Sequence, residues 1–270
     1  MKYFLFFFFI VLGTIKLCAQ INLKAHSIKL PSDVSYYDNQ YSSLYISNHK
    51  LYLMSESRLE DNAQAFLSSA DLNDLQKAIK DSSYQPAFTK NPIYGLDVLR
   101  DKMKAEGQSY EGLEATVVNN TTVYLSVETA TPSDYCYLLK GHFDGRNIYM
   151  DTTKMLKLAK PKDANGENVY NAGFESLELI ADRLYAFFEY NYFTSENDVI
   201  SVDTSLNQSS LHKISIDKIP FRITDVTKSY KQNHLVGINY FYKGEGKDEV
   251  YRVPQSDTLN YSLTQDATGF

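Results

Sequence analysis

Tryptophan is missing from this 270-residue chain, and cysteine occurs only twice, at Cys18 and Cys136. Cys18 falls in a leader segment, so the mature chain keeps one thiol and forms no intramolecular disulfide. An exported protein of this kind is held by its core alone. About 250 residues suffice, because a chain of that length buries roughly 70–75% of its unfolded surface. Also lacking is the ~20-residue apolar run that a membrane-spanning helix needs. The stretch Tyr3 to Leu12, behind Lys2, is ten residues long and reads as the core of a signal peptide over residues 1–19, with cleavage after Ala19. Acylation of Cys18 is disfavoured by Ile15-Lys16-Leu17, which puts a lysine and a leucine where a lipoprotein signal wants small residues. The chain is therefore expected to be exported, periplasmic or secreted, with a domain over 20–270.

Basic clusters are absent too. The net charge is −6 and falls to −8 once Lys2 and Lys16 leave with the signal, which excludes nucleic acid as a partner. The five histidines, His26, His49, His142, His212 and His234, form no pair at i, i+4, and no Ser-His-Asp arrangement has positional support. No glycine-rich phosphate loop occurs; Gly244-Glu-Gly246 reads as a hairpin tip. Cys136 sits in Asp-Tyr-Cys-Tyr-Leu-Leu and reads as a buried, inert thiol.

What is abundant is aromatic: twenty-two tyrosines and fifteen phenylalanines, which favour strands. Four stretches overlay without a gap. Gly112-Leu-Glu114 leads after fourteen residues to Glu128, Gly173-Phe-Glu175 to Glu189, and Ile223-Thr-Asp225 to Asn239; a fainter copy runs from Ser42 to Glu56. Repetition of a strand pair at intervals of roughly 50–70 residues is the mark of a radial β architecture. Within the units, hairpins are predicted around Asn119–Thr122, Asp144-Gly145 and Ser47–His49. A short helix is expected over 71–79, residues 95–104 read as either helical turn or outer strand, and Ile21 to Pro31 as an edge or closing strand. The expected fold is all-β, a propeller of four-stranded blades. Four blades are visible, as in an incomplete five- or six-bladed propeller whose chain stops at Gly269-Phe270 where a further blade would open.

Glu114, Glu175 and Asp225 share one place in this repeat, and Glu56, Glu128, Glu189 and Asn239 share another. Convergent carboxylates are hard-cation chemistry: Ca²⁺ takes six to eight oxygens. Glu114, Glu175, Asp225, Glu128 and Glu189 are therefore the candidate metal ligands. The same acids could instead cap blade openings by accepting backbone N–H groups, with Arg222 as an internal partner close to Asp225.

The blade openings Glu111-Gly-Leu-Glu-Ala115, Val123-Tyr-Leu-Ser-Val-Glu-Thr129, Phe174-Glu-Ser176 and Arg222-Ile-Thr-Asp225 resemble the phytase-like, or esterase-like, propeller family, in particular a secreted bacterial subgroup of unassigned activity. The resemblance covers about residues 40–253. It implies a six-bladed shape and Ca²⁺ with phosphoester or ester substrates, Glu114, Glu175 and Asp225 being the positions carried over. Two functions follow as expectations. One is a module that binds a small-molecule or protein ligand at its loop face. The other is a Ca²⁺-dependent hydrolase.

Overall fold

The computed structural model describes residues 26–59, 63–192, 194, 196–219, 222–229 and 234–240. The export signal, Cys18, the hairpin tip at 244–246 and the last two residues lie outside the described residues. The described fold is mostly β, with two helices.

Three consecutive four-stranded antiparallel meanders account for most of it. The first comprises β1 (Tyr41–Ser47), β2 (Lys50–Ser55), β3 (Phe66–Asp71) and β4 (Thr89–Tyr94). The second comprises β5 (Tyr110–Asn119), β6 (Thr122–Thr129), β7 (Tyr135–Phe143) and β8 (Ile148–Ala159). The third comprises β9 (Phe174–Ile180), β10 (Arg183–Phe188), β11 (Asp198–Asp203) and β12 (His212–Ser215). A hairpin of β13 (Arg222–Lys228) and β14 (Leu235–Tyr240) follows. The first two meanders are joined into one eight-stranded sheet by a short parallel pairing, Ile93 with Ile148 and Tyr94 with Tyr149. At the opposite end of that sheet β1 lies beside β5, so the sheet nearly closes on itself.

The segment expected as a closing strand has no strand in its described part, 26–31. Residues 95–104 resolve as helix. Helix α2 (Leu96–Ala105) follows Gly95, whose φ of +90° suits glycine, and buries Leu96, Leu99 and Met103 at helical spacing. Helix α1 (Leu72–Lys80) is capped by Asp71, whose carboxylate accepts from Asn73 N at 2.8 Å. It buries Leu75 and Ala78 and leaves Ile79 outward. None of the described helices is long and apolar enough to cross a membrane.

Each meander buries its faces against its neighbours. Met54, Leu67, Leu99, Leu113, Leu125 and Tyr137 pack between the first and second. Val117, Tyr124, Leu138, Phe174, Leu184 and Phe188 pack between the second and third. Cys136 is wholly buried, and burial pushes its thiol up to about 12, as the apolar flanks led one to expect.

Candidate functional site

The first strands of the units, β1, β5, β9 and β13, stand side by side in sequence order. All four carry a β-bulge at the same place: between Tyr41 and Ser43, Leu113 and Ala115, Phe174 and Ser176, and Ile223 and Asp225. A bulge leaves its extra residue outside the ladder and re-aims the side chain. The bulged residues are Ser42, Glu114, Glu175 and Thr224. Register thus corrects the gapless overlay in the fourth unit. Thr224, and not Asp225, is the counterpart of Glu114 and Glu175. The reason is the hairpin: Arg222 pairs with Tyr240, where Gly112 pairs with Glu128, so the fourth turn is longer by two residues.

Two residues before each bulge, a second rule holds. Gly112 lies against Glu56 of the preceding unit, and a Cβ there would fall 2.5 Å from Glu56 Cγ. Gly173 lies against Glu128 of the preceding unit in the same way, with a built Cβ 3.1 Å from Oε2. In the fourth unit the slot holds Arg222, and its guanidinium meets Glu189 of the preceding unit as an ion pair. The recurrent glycine is therefore space for a carboxylate, and where the glycine is lost a guanidinium neutralises that carboxylate.

These contacts bring Glu114, Glu128 and Glu175 together, one carboxylate oxygen from each lying within 4.8 Å of the others. Glu114 and Glu128 are buried, and the Glu175 side chain is 12% exposed. Gln40, Tyr41, Ser42, Glu56, Arg58, Glu111, Asn171 and Arg222 complete a mouth of about 310 Å³, in which Arg58 pairs with Glu56 at 2.9 Å. Arg222 donates to Glu175 Oε1 at 3.2 Å as well as to Glu189, and stacks over the Tyr190 ring at 5.5 Å. Glu189 also accepts from Gly173 N at 3.0 Å, so it caps the opening of its own unit. Arg222 is the internal partner expected for the repeated acids, and it serves Glu175 and Glu189. Asp225 lies further along the strand, where Oδ1 accepts from Val226 N at 2.8 Å and from Ser176 Oγ at 3.4 Å. Asn239 Nδ2 turns to Arg222 O at 3.2 Å.

The electrostatics follow from crowding acids in a dry place. Burial, and then the charges of Glu175, Glu128 and Glu56, hold Glu114 well above the ordinary carboxyl range. Burial raises Glu128 to about 8; Lys160 opposes this and Glu175 adds to it. Lys160, itself buried, spends a hydrogen bond on Thr129 O. Burial also raises Glu175, against the pull of Arg222. One feature stands out. Glu128 Oε1 is buried without a hydrogen-bond partner, and a buried carboxylate oxygen in that state is costly.

No protein-family model matches the sequence, and no curated protein matches it. Solved structures similar in part are the computationally designed Ika4 protein, at 8% identity and a TM-score of 0.33 over 81% of this chain and 93% of that one, and the designed Ika8 protein, at 8% identity and a TM-score of 0.25 over 73% and 67%. Likeness at this level carries no argument about fold or function.

Proposed function

We propose that this chain is an exported, propeller-type binding module whose ligand end is the carboxylate mouth, and that Glu114, Glu128 and Glu175 there hold a divalent cation, Ca²⁺ by the chemistry of the donors. The single observation carrying the reading is the unpartnered Oε1 of Glu128 beside two further carboxylates. Three carboxylates supply only hard oxygen donors, which suits Ca²⁺ and not a soft metal. With Arg222 engaged by Glu175 and Glu189, the trio retains negative charge that either protons or a cation must offset.

The propeller reading rests on the meander series, on the first strand of each unit standing beside that of the next, and on the repeated bulge. The acids belong to both ideas weighed from sequence. Glu189 acts as a cap, whereas Glu114 and Glu128 face the mouth and accept no backbone N–H among the described residues.

Titration calorimetry with Ca²⁺ and thermal melts with Ca²⁺ or a chelator test the reading. At 100-fold above the dissociation constant a bound ion adds ~2.7 kcal/mol. For a domain of this size that is a rise in Tm of about 5–10 °C, and Glu128→Gln abolishes it. Identical melts in Ca²⁺ and chelator sink the cation reading. Turnover of a phosphomonoester or ester, lost in Glu114→Gln, would move the assignment to the phytase-like hydrolase.

A further inference from the structure

The strand pairing shared by the first two meanders, β4 with β8, carries a pair of tyrosines on its outward face. That pairing is parallel, and Tyr94 stands directly opposite Tyr149, as Ile93 stands opposite Ile148. Residues opposite each other across a ladder share a face, and neighbours along a strand take opposite faces. The isoleucines are buried, so the tyrosines point out: Tyr94 is 43% and Tyr149 48% exposed. Their rings are stacked, with centroids 5.4 Å apart and planes inclined by 21°.

The backbone behind the rings is held in place. Gly95 closes on β8 so tightly that a Cβ there would lie 3.0 Å from Thr152 Cγ2. Lys102 Nζ of α2 donates to Thr152 O at 2.5 Å. Rotation about their own side-chain bonds is the freedom left to the two phenols. Cys136, the only cysteine among the described residues, is buried, so no thiol there competes for an oxidant. Another exposed pair, Tyr36 and Tyr37, has centroids 5.0 Å apart but is tilted by 56°. Those two are neighbours in the chain, and a bond between them would join no elements.

The geometry points to Tyr94 and Tyr149 as a modification site, where an oxidative cross-link welds the outer edges of the first two meanders. The oxidant is a peroxide acting through a peroxidase, which removes electrons singly. Each phenol gives up one electron and its hydroxyl proton. The two phenoxyl radicals couple through ortho carbons, forming one C–C bond. Each ring then passes its ortho hydrogen to the phenolic oxygen and regains aromaticity. The two electrons and two protons reduce one hydrogen peroxide to two waters. Both reacting rings belong to the described fold, so no partner or further segment has to complete the site. It shares no residue with the carboxylate mouth and works with or without a cation there. The new bond closes residues 94–149 into a loop, which restrains the unfolded chain as a disulfide would.

The test treats the whole chain, dilute and folded, with a haem peroxidase and hydrogen peroxide. Tandem mass spectrometry of the digest is expected to show the peptides bearing Tyr94 and Tyr149 joined, with the loss of two hydrogens, from a protein that remains monomeric. Tyr94→Phe keeps the ring without the phenol and should lose that linkage under the same treatment. Denaturing urea should abolish it too, since only the fold holds the rings together. The cross-linked protein should melt about 5–15 °C higher than treated Tyr94→Phe. Coupling confined to Tyr36 and Tyr37, or to tyrosines of different molecules, overturns the proposal. So does an absence of coupling while free tyrosine in the same mixture dimerises, a linkage that survives urea, or a Tm unmoved by complete cross-linking.

Discussion

Gly173 sits against the carboxylate of Glu128, so closely that a methyl group on its α-carbon would lie 3.1 Å from Oε2 and 3.2 Å from Cβ of that glutamate. Gly112 stands to Glu56 in the same way, and more tightly. Alanine at Gly112 is expected to destabilise by ~1–3 kcal/mol through overpacking, and alanine at Gly173 by less, since part of the clash there is with a carboxylate end. Glu56→Ala combined with Gly112→Ala should recover most of the loss. Urea denaturation of the single and double variants measures both effects. Equal stability of Gly112→Ala and the native protein would contradict the packing described.

Arg222 is the guanidinium shared by Glu175 and the fully buried Glu189. Its replacement by methionine leaves two carboxyls without their cation and is expected to cost ~3–5 kcal/mol near neutral pH. The loss should shrink in acid, where protonation removes the uncompensated charge. Chemical denaturation at two pH values separates this outcome from a simple packing defect, which would not respond to pH.

The pH dependence of the carboxylate trio has a definite sign. Glu128 titrates at about 8 in the folded chain and near the ordinary carboxyl value when unfolded. Between those values the unfolded state has released the proton that the folded state keeps. Stability contributed by this site therefore falls as pH rises through that window, and is fully present only below it. In chelator, Tm should rise on going from pH 8 to pH 5.5, and Glu128→Gln should flatten the trend. Ca²⁺ should tilt it the other way, because the ion binds ionised carboxylates and gains affinity with pH.

Cys136 makes a simpler test of the core. Its thiol is raised to about 12 and has no exposed surface, so it should not react with a thiol reagent in the native protein carrying Cys18→Ser. Reaction is expected only at the rate of opening, and addition of denaturant should release the full equivalent.

Much of this arrangement was legible in the residues. The hairpins around Asn119–Thr122 and Asp144-Gly145 announce themselves through turn residues between runs of apolar and aromatic strand formers, and both form. So does the recurrence of Glu114 and Glu175, because local bulges keep their spacing. What could not be read were facts of register and of distance along the chain. A turn longer by two residues moves Thr224 into the slot that a gapless overlay assigns to Asp225. Residues 95–104 are ambiguous in isolation, and only Leu99 and Met103 packing under the sheet decide for helix. The pairing of Arg222 with Glu189 joins residues of different units, which no local pattern encodes. One clue was in view: glycine at Gly112 and Gly173 marks close approach, and the arginine in the third such slot marks the unit where a charge is met by charge.

The parallel pairing of Ile93 and Tyr94 with Ile148 and Tyr149 joins the outer strands of the first two meanders, while β1 and β5 meet at their inner ends. Those two meanders thereby share a strand pairing at their outer edges, whereas among the described residues no named strand of the third pairs with another meander; packing holds it there, with side-chain bonds from Ser126 to Phe174 O and from Tyr124 and Lys140 to Thr204 O. Under tension or partial denaturation the molecule should come apart unevenly. The third meander and the following hairpin would peel away first, leaving the strand-paired first two as its most persistent piece.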